Sequence, residues 1–411
     1  MRFIFFSLRD FNKDVGENVR MYGMLNSLAE DGKNVTFISN AGNYDMFNPN
    51  IRHIYIGSGT IDKRKLQALT SWLPATIVHK IFNDFFQKVE TAVKSIDPGN
   101  TPIYFFDYLD NTIGYLLQKK GIIKKYINDI HGIATVEFQS QIKNSSRLFE
   151  KGLSFFKYYS AYNLDKKVFE NAYGFIYGSD TMRSYYNRLY QLKGKKSFVI
   201  PYVLGTEAAD RTVNEGLKKS LSLSLNIQKD DYVFLFVGTY KATAGVEDLI
   251  SAFDLLYKDN KVVKLILIGS GPAKDNCKLQ ASKLESAHNI IFIDSIPYNQ
   301  LLTYQNIAHV IVCPDRDNPY SQSVIHVKYF DALLSGRLVI NGSFKSVMEL
   351  NKDEFLSLTF KPSDVFDLYL IMKKCVDNFD ALMVKYANTR AYTIENLTYK
   401  RFLKSLIEYE M

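Results

Sequence analysis

The residues with the clearest chemical potential lie around a polar loop, Asp315 to Ser323, which follows an apolar run of strand length. After the loop, residues 324–334 place apolar side chains at helical spacing, and Ser321 or Ser323 could serve as N-cap. The free N–H groups of such a helix point at the loop, and helix N-termini favour anions. The pattern predicts an anion site, and an ordinary strand–helix–strand unit without a ligand stays open as the alternative.

Four other polar residues lie just past the ends of predicted strands: Asp107, Asp110, His131 and Ser179. Ligands of a doubly wound parallel sheet bind beyond the carboxyl ends of its strands. These side chains are therefore candidate ligand contacts. A buried histidine with satisfied hydrogen bonds is the open alternative for His131.

The elements that would position these residues form two series of alternating strands and helices. The first series has apolar runs at 2–6, 35–38, 103–106, 126–130, 174–177 and 198–200, and the second has runs at 232–238, 262–269, 289–294, 309–313 and 338–340. Apolar runs without polar alternation are typical of parallel strands buried on both faces. The sequence therefore predicts an α/β protein with two Rossmann-like domains and a cleft between them.

The break in the strand pattern after Pro201 sets the predicted domain boundaries. We expect an N-terminal acceptor-binding domain over 1–203, a linker over 204–230 and a C-terminal nucleotide-sugar-binding domain over 231–385. Residues 386–411 are expected to form a C-terminal helix that returns to the first domain.

Composition narrows the class of protein. The 411 residues are 46% hydrophobic and 23% charged, which is typical of a globular chain. The three cysteines lack metal-ligand spacing, and no apolar run has the length of a membrane span, so we predict a cytoplasmic location. Residues 1–200 hold 27 Lys and Arg against 18 Asp and Glu. This basic half could face a polyanion such as an anionic membrane surface, whereas no nucleic-acid motif is present.

A segment with alternating apolar and basic residues, 71–96, allows two interpretations. One is an interfacial helix that lays Trp72, Phe85 and other aromatic residues on a membrane surface. The other is a helix that packs into the core and leaves its lysines in solvent.

Seven blocks of the sequence resemble the family 4 (group 1) retaining glycosyltransferases, which have the GT-B fold. In the second half the blocks are VG with GVEDLISAF, LILIGSGP, IIFIDSIPYNQL and KYFDALLSGRLVI. In the first half they are GENVRMYGMLNSLAEDGKNVTFIS, DIHG, and IYGSDTMRSYY with VIPY. The blocks occur in the family's order and cover nearly the whole chain.

The resemblance implies a reaction in which a sugar moves from a nucleotide-diphosphate sugar to an acceptor with retention at the anomeric carbon. The acceptor class it suggests is a polysaccharide or lipid-linked glycan, made at the inner face of the cell membrane. No metal and no cofactor are implied, because positive side chains and helix dipoles hold the diphosphate.

The resemblance also assigns roles to individual residues. The catalytic positions are His131 at the donor sugar, Lys328 at the diphosphate and Asp331 at the ribose. The positions that match donor-binding blocks are Gly16, Glu17, Arg20, Gly238, Thr239, Lys241, Gly269, Gly271, Asp294, Ser323, His326 and Val327.

Four positions depart from the family pattern. The two usual phosphate-binding cations are replaced by Thr239 and Ala244, the first of the paired glutamates by Ser323, and a glycine by Asp294. Lys241, Arg316 or a base of the first domain such as Arg9 or Arg20 could compensate. A non-catalytic relative that serves as partner or scaffold of an active transferase is therefore the alternative function, and a sugar-nucleotide epimerase is a third.

Overall fold

The computed structural model describes residues 1–9, 16–40, 42, 45–57, 61–144 and 148–410. These residues form two compact units. Unit 1 comprises Met1–Pro201 together with Tyr399–Met411, and unit 2 comprises Tyr202–Thr398.

Unit 1 is built on a seven-stranded parallel sheet in the order β3-β2-β1-β4-β5-β6-β7. Its strands are β1 (Arg2–Ser7), β2 (Asn34–Ser39), β3 (Arg52–Tyr55), β4 (Ile103–Phe106), β5 (Tyr126–Ile130), β6 (Gly174–Tyr177) and β7 (Lys196–Val199). Its first helices are α1 (Gly16–Glu30), α2 (Lys63–Trp72), α3 (Ala75–Ile81), α4 (Asn83–Ser95), α5 (Asp107–Lys119), α6 (Ala134–Asn144), α7 (Leu148–Asn171) and α8 (Asp180–Tyr190).

The central strands of unit 1 carry aromatic residues on both faces. Phe5 contacts Tyr104 with ring centroids 5.0 Å apart on one face, and Phe6 contacts Phe105 at 5.1 Å on the other. All four rings are buried. This explains the uninterrupted apolar strand pattern, because helices cover both sides of the sheet.

Unit 2 contains a six-stranded parallel sheet in the order β10-β9-β8-β11-β12-β13. Its strands are β8 (Tyr232–Val237), β9 (Val263–Ile268), β10 (Ile290–Ile293), β11 (Val310–Cys313), β12 (Leu338–Gly342) and β13 (Leu358–Phe360). Its helices are α9 (Glu215–Ser224), α10 (Val246–Asp259), α11 (Lys274–Ala281), α12 (Leu301–Gln305), α13 (Pro319–Ser323), α14 (Val327–Leu334), α15 (Lys345–Met348), α16 (Val365–Asp377), α17 (Phe379–Lys385) and α18 (Thr389–Asn396).

The chain ends with α19 (Tyr399–Phe402) and α20 (Lys404–Glu410), which belong to unit 1. Tyr399 packs against α1 at Gly23, where a Cβ atom would lie 2.2 Å from the ring. Tyr409 contacts Phe198 and shares a hydrogen bond with Tyr173.

Two of the predicted boundaries differ from the structure. Residues 204–230, predicted as a linker, lie in unit 2 and contain α9, which is capped by Asn214. Residues 386–398 also lie in unit 2, because α18 packs on α14 and Arg390 donates to the Leu334 carbonyl. The return to unit 1 therefore starts at Tyr399.

The segment predicted as one helix over 71–96 is broken into separate helices. α2 ends at Trp72, before Pro74, and the non-helical backbone of Phe82 separates α3 from α4. Phe86 and Val89 are core residues, as the packing interpretation expected, whereas Trp72 is half exposed.

The close contact at Gly23 makes a prediction about stability. We expect Gly23→Ala to lower the free energy of unfolding by about 1–3 kcal/mol, because the added methyl overlaps the Tyr399 ring. Gly152→Ala in α7 is the matched control; its Cβ meets open space, so it should raise stability by about 0.5–1 kcal/mol. Denaturant unfolding of both variants measures the difference, and equal effects would contradict this packing.

Candidate functional site

The strand order of unit 2 reverses between β8 and β11, and this creates a crevice at their carboxyl ends. Gly238 follows β8 and Pro314 follows β11. The two connecting loops touch: Gly245 has φ 67°, and a Cβ atom there would lie 1.9 Å from the Pro314 carbonyl oxygen. Only glycine fits this approach, which brings the two loops together at the crevice.

Lys328 projects into this crevice. Its Nζ lies 2.8 Å from Oδ1 of Asp315 and 5.3 Å from the centre of the Phe236 ring, and its Cδ lies close to Gly238. The side chain is 21% exposed, so the ammonium is within reach of a ligand. The predicted helix start at Val324 is wrong: α14 starts at Val327, which puts Lys328 in the first helical turn.

The separate start of α14 also corrects the predicted cap. Ser321 and Ser323 belong to the short helix α13, where Asn318 caps the Ser321 amide. Ser323 is buried and donates to the Pro319 carbonyl. His326 holds the cap position of α14 without a side-chain cap bond.

Asp315 is a site residue that the sequence analysis did not assign. It is 5% exposed, and its carboxylate accepts from Lys328 and lies 3.9 Å from His326 Nε2. Burial lowers the pKa of His326, Asp315 opposes this, and Lys328 and Lys241 lower it further. The imidazole is therefore neutral near neutral pH, and the charges beside it are the two lysines and one carboxylate.

The two positions that lack the family's phosphate-binding cations, and the basic residues near them, have different surroundings in the structure. Thr239 is exposed beside the crevice, and Ala244 is buried beneath the loop. Arg316 donates to both carboxylate oxygens of Asp248, at 2.7 and 2.6 Å, so its guanidinium is engaged in an ion pair within the loop region. Lys241 is exposed, and its charge is close enough to act on His326.

Two predicted glycines allow the loops to pack closely. A Cβ at Gly269 would lie 2.0 Å from the Gly238 carbonyl oxygen, and one at Gly271 would lie 2.5 Å from that of Tyr240. These approaches account for both glycines without a ligand. Asp294 is 95% exposed and forms an ion pair with Lys274, in which Lys274 Nζ lies 2.7 Å from Asp294 Oδ1.

Asp331 lies on the buried face of α14, in a cluster with Tyr298 and Arg211. Its Oδ1 accepts a hydrogen bond from the Tyr298 hydroxyl at 2.8 Å and lies 3.4 Å from Arg211 Nη1. Burial raises its pKa to about 6, although Tyr298 and Arg211 act in the opposite direction. A ribose at this carboxylate would have to share it with both residues.

Unit 1 has its own change in strand order, between β1 and β4. Arg9 beyond β1 pairs with Asp107 beyond β4 at 3.0 Å. Asp110 accepts from the Leu8 amide, and burial, together with nearby Asp107, raises its pKa well above the usual range. Arg9 and Asp107 are both partly exposed, so this pair is accessible at the strand ends.

His131 directly follows β5 and lies beside a buried ion pair. Its Nε2 is 3.0 Å from Oδ2 of Asp129. Arg20 binds the same carboxylate through Nε at 2.9 Å and Nη2 at 2.8 Å, and Nη1 donates to the Ile200 and Pro201 carbonyls. Arg20 is 0% exposed, so its predicted contact with the donor does not fit this setting; it positions Asp129 and His131.

Gly16 and Glu17 stand at the start of α1, and the Glu17 side chain is outside the part of the chain that the structure describes. Gly238, Lys241, His326, Val327 and Lys328 come together at the unit 2 crevice.

Three residues near these sites, Asp315, Arg211 and Tyr298, were not predicted, and the sequence gives only a weak signal for them. Asp315 lies two residues past the end of β11, which could have revealed it, whereas Arg211 and Tyr298 approach Asp331 only through tertiary packing.

Within the described ranges, no group of three His, Cys, Asp or Glu side chains is arranged to hold a metal ion. The same ranges contain no helix both long and apolar enough to cross a membrane.

Comparison with known proteins agrees with the resemblance. A family model described as glycosyl transferases group 1 matches residues 218–378, which covers the crevice of unit 2. An uncharacterised glycosyltransferase of Methanocaldococcus jannaschii is 26% identical over 141 residues, which are 34% of this chain and 35% of that protein. The match thus spans about a third of the relative's length. The predicted similarity to group 1 glycosyltransferases is confirmed for this region.

Solved structures confirm the fold class over the whole chain. Sucrose-phosphate synthase from Thermosynechococcus elongatus is 18% identical, with a TM-score of 0.73, and the match covers 100% of this chain and 98% of that one. HepE from Anabaena, solved in complex with UDP, is 13% identical, with a TM-score of 0.69 and coverage of 100% and 99%. The chain has the GT-B fold, with two Rossmann-like units.

The buried pair of unit 1 makes a prediction about stability and pH. Burial alone would raise the pKa of Asp129, but Arg20 and His131 hold it at about 2, below its ordinary 3.8. The pair therefore stabilises the fold above about pH 4, and this contribution is lost as the pH falls toward 2. At neutral pH, Asp129→Asn should cost about 3–5 kcal/mol in the free energy of unfolding, because it leaves Arg20 buried without a counter-charge.

The control for this substitution is Glu170→Gln, which removes one carboxylate from an exposed pair with Lys166. That change should cost less than about 1 kcal/mol. Urea unfolding at several pH values checks both. A loss for Asp129→Asn that is small, or that does not shrink in acid, would contradict the assignment.

Proposed function

We propose that this protein is a retaining glycosyltransferase of the hexosyltransferase type that uses a nucleotide-diphosphate sugar and no metal. Its acceptor is a polysaccharide or lipid-linked glycan of the kind built into capsule or lipopolysaccharide. The observation that carries the proposal is the Lys328 ammonium, held by Asp315 in the β8/β11 crevice within the region that matches the group 1 family model.

The chemistry of the leaving group explains why this arrangement suits the reaction. The bond between the anomeric carbon and a β-phosphate oxygen breaks, and a bond to an acceptor hydroxyl oxygen forms while that hydroxyl loses its proton. Negative charge grows on the diphosphate, so donors already aimed at it lower the barrier most. Lys328 and the free amides at the start of α14 supply such donors.

Lys241 is our candidate for the second phosphate-binding cation. The usual positions hold Thr239 and Ala244, and the guanidinium of Arg316 is bound to Asp248. Lys241 is exposed on the same loop and lies near His326. An incoming phosphate would compete with Asp315 for the Lys328 ammonium. The phosphate contact would therefore partly replace the existing ion pair between Lys328 and Asp315.

The first test is nucleotide binding. A thermal-shift titration without metal, with UDP, GDP, dTDP, ADP and CMP, should give a shift with one of them; a ligand at about 100 times its Kd adds about 2.7 kcal/mol of apparent stability. Lys328→Ala should weaken binding at least about tenfold, because a charge-assisted contact is lost. Lys241→Ala should weaken it about threefold to tenfold.

Lys328→Ala leaves Asp315 buried without its lysine, so this variant could lose binding because it misfolds. Lys241 is exposed, so Lys241→Ala should fold normally and tests the crevice independently. Lys373→Ala, at a surface pair with Asp377, is the matched control and should bind like the wild type. If no nucleotide shifts the wild type, or if both crevice variants bind normally, the proposed donor site is wrong.

A non-catalytic role as partner or scaffold of an active transferase is the second candidate function. Buried Ala244 favours it, because that position offers no cation to a phosphate. This role allows nucleotide binding but requires that the wild type release no nucleotide from any sugar donor.

His131 gives a prediction that separates the two functions. We expect His131→Ala to lower the rate of nucleotide release from the sugar donor by about a hundredfold, because the variant loses a polar contact at the reacting centre. The thermal shift with the nucleotide should stay unchanged. His288→Ala, a histidine bonded to Tyr257 in unit 2, is the control. A wild type that binds a nucleotide but shows no turnover would favour the scaffold role.

A further inference from the structure

The N-terminal half of α7 is an apolar helix surface that the fold leaves in solvent. Between Leu148 and Tyr159, only Ser154 is buried and only Tyr158 is partly buried; the other positions are exposed. Phe149 is 82% exposed and Phe156 is 56% exposed. Large exposed apolar surfaces are uncommon on a protein that works alone in water and usually mark an interaction site.

The exposed side chains form one continuous surface. Phe149, Leu153 and Phe156 follow helical spacing on one face, and the rings of Phe155 and Tyr159 lie 4.7 Å apart on the adjacent face. Trp72 at the end of α2 joins them, because its ring stacks on Phe156 with centroids 5.9 Å apart. We call Trp72, Phe149, Leu153, Phe155, Phe156 and Tyr159 the α7 patch.

Hydrogen bonding fixes the patch to the body of unit 1. Trp72 Nε1 donates to the Ser160 hydroxyl at 3.0 Å, and Lys167 Nζ donates to the Thr70 carbonyl at 2.9 Å. α2 and α7 are therefore held side by side. Apolar groups presented on such a fixed surface need little ordering when they meet a partner.

Basic residues lie on α7 and α2, which carry the patch, and on α3. Residues 63–81 and 148–159, which carry it, contain six Lys and Arg and one acidic residue, Glu150. The basic residues are Lys63, Arg64, Lys65, Lys80, Lys151 and Lys157, and all six are exposed. A second copy of the chain would bring like charges together, whereas a surface rich in anionic headgroups would be complementary to this charge.

We propose that the α7 patch docks unit 1 onto an anionic lipid bilayer, with its aromatic side chains at the depth of the headgroups and its lysines on the lipid phosphates. Aromatic and basic residues combined on one helix surface are the pattern of interfacial binding. The proposal goes beyond the proposed function, because docking requires neither nucleotide nor turnover. If both hold, the transferase would meet a lipid-linked acceptor at the membrane where that acceptor resides.

The test is co-sedimentation of the full chain, without nucleotide, with phosphatidylcholine vesicles that either contain or lack phosphatidylglycerol. Wild type should sediment with the anionic vesicles, and more at low salt than at high salt. Phe155→Ser combined with Phe156→Ser should weaken binding at least about tenfold, because apolar area no longer enters the interface. Lys151→Glu with Lys157→Glu should also weaken it and reduce its dependence on salt.

The matched control is Leu223→Ser with Val384→Ser, two apolar residues of unit 2 that are 74% and 79% exposed. These changes should leave vesicle binding unchanged. All variants should keep the wild-type melting temperature, because the substituted side chains are exposed.

Three results would overturn the proposal. The wild type could fail to bind either kind of vesicle, or the phenylalanine variant could bind as well as the wild type. Alternatively, the wild type could form dimers that the phenylalanine substitutions abolish and show no vesicle binding, which would make a second copy the occupant. Nucleotide thermal shifts on the same samples separate a failure of docking from a failure of the proposed transferase function.

Discussion

Both sheets depend on one constraint: in every strand pairing recorded among the described residues, the two strands run in the same direction. Parallel strands need a crossover between neighbours, and the crossovers bury both faces of each sheet. The carboxyl ends of the strands then collect at one edge. A crevice lies at that edge where the strand order reverses, between β1 and β4 and between β8 and β11.

The ion pairs near the strand ends of the two sheets differ in how easily their basic side chain can move. The Arg20–Asp129 pair of unit 1 is almost fully buried, with each carboxylate oxygen accepting from the guanidinium. It has the properties of a structural clamp, which fixes the carboxylate beside His131. The Lys328–Asp315 pair of unit 2 is partly exposed on its lysine side. A lysine held by a single carboxylate can turn toward an incoming anion, whereas Arg20 cannot leave its four acceptors without unfolding its surroundings.

Thr239 and Ala244 stand where the family has cations, but the loops that carry these two positions are still held together. Gly245 still lets the two loops of the crevice meet, and Arg316 ties them together through Asp248 and the Ala242 carbonyl. Ala244 fills the space beneath the loop. The two loops of the crevice therefore stay in contact although Thr239 and Ala244 carry no charge, and Lys328 and Lys241 are the lysines beside these loops.

The sequence alone determined the class of fold. Unbroken apolar runs such as the one that begins at Tyr232 are typical of strands covered on both faces, and helices between them indicate parallel crossovers, so two doubly wound sheets followed from local pattern. The same logic placed His131 just past the end of a strand, whereas the role of Lys328, near the start of a predicted helix, came from the family resemblance. Boundaries were less predictable, because α9 and α18 owe their place in unit 2 to packing partners distant in the chain.

Only the tertiary structure decided which charges face solvent and which are neutralised. Arg20 and Arg316 look like available cations in the sequence, but each is bound to an aspartate, 109 and 68 residues away respectively. The break between α13 and α14, and the exposure of the α7 aromatics, likewise escaped the sequence pattern. Side-chain pairing and burial depend on residues that come together only when the chain folds, and periodicity along one segment carries no information about them.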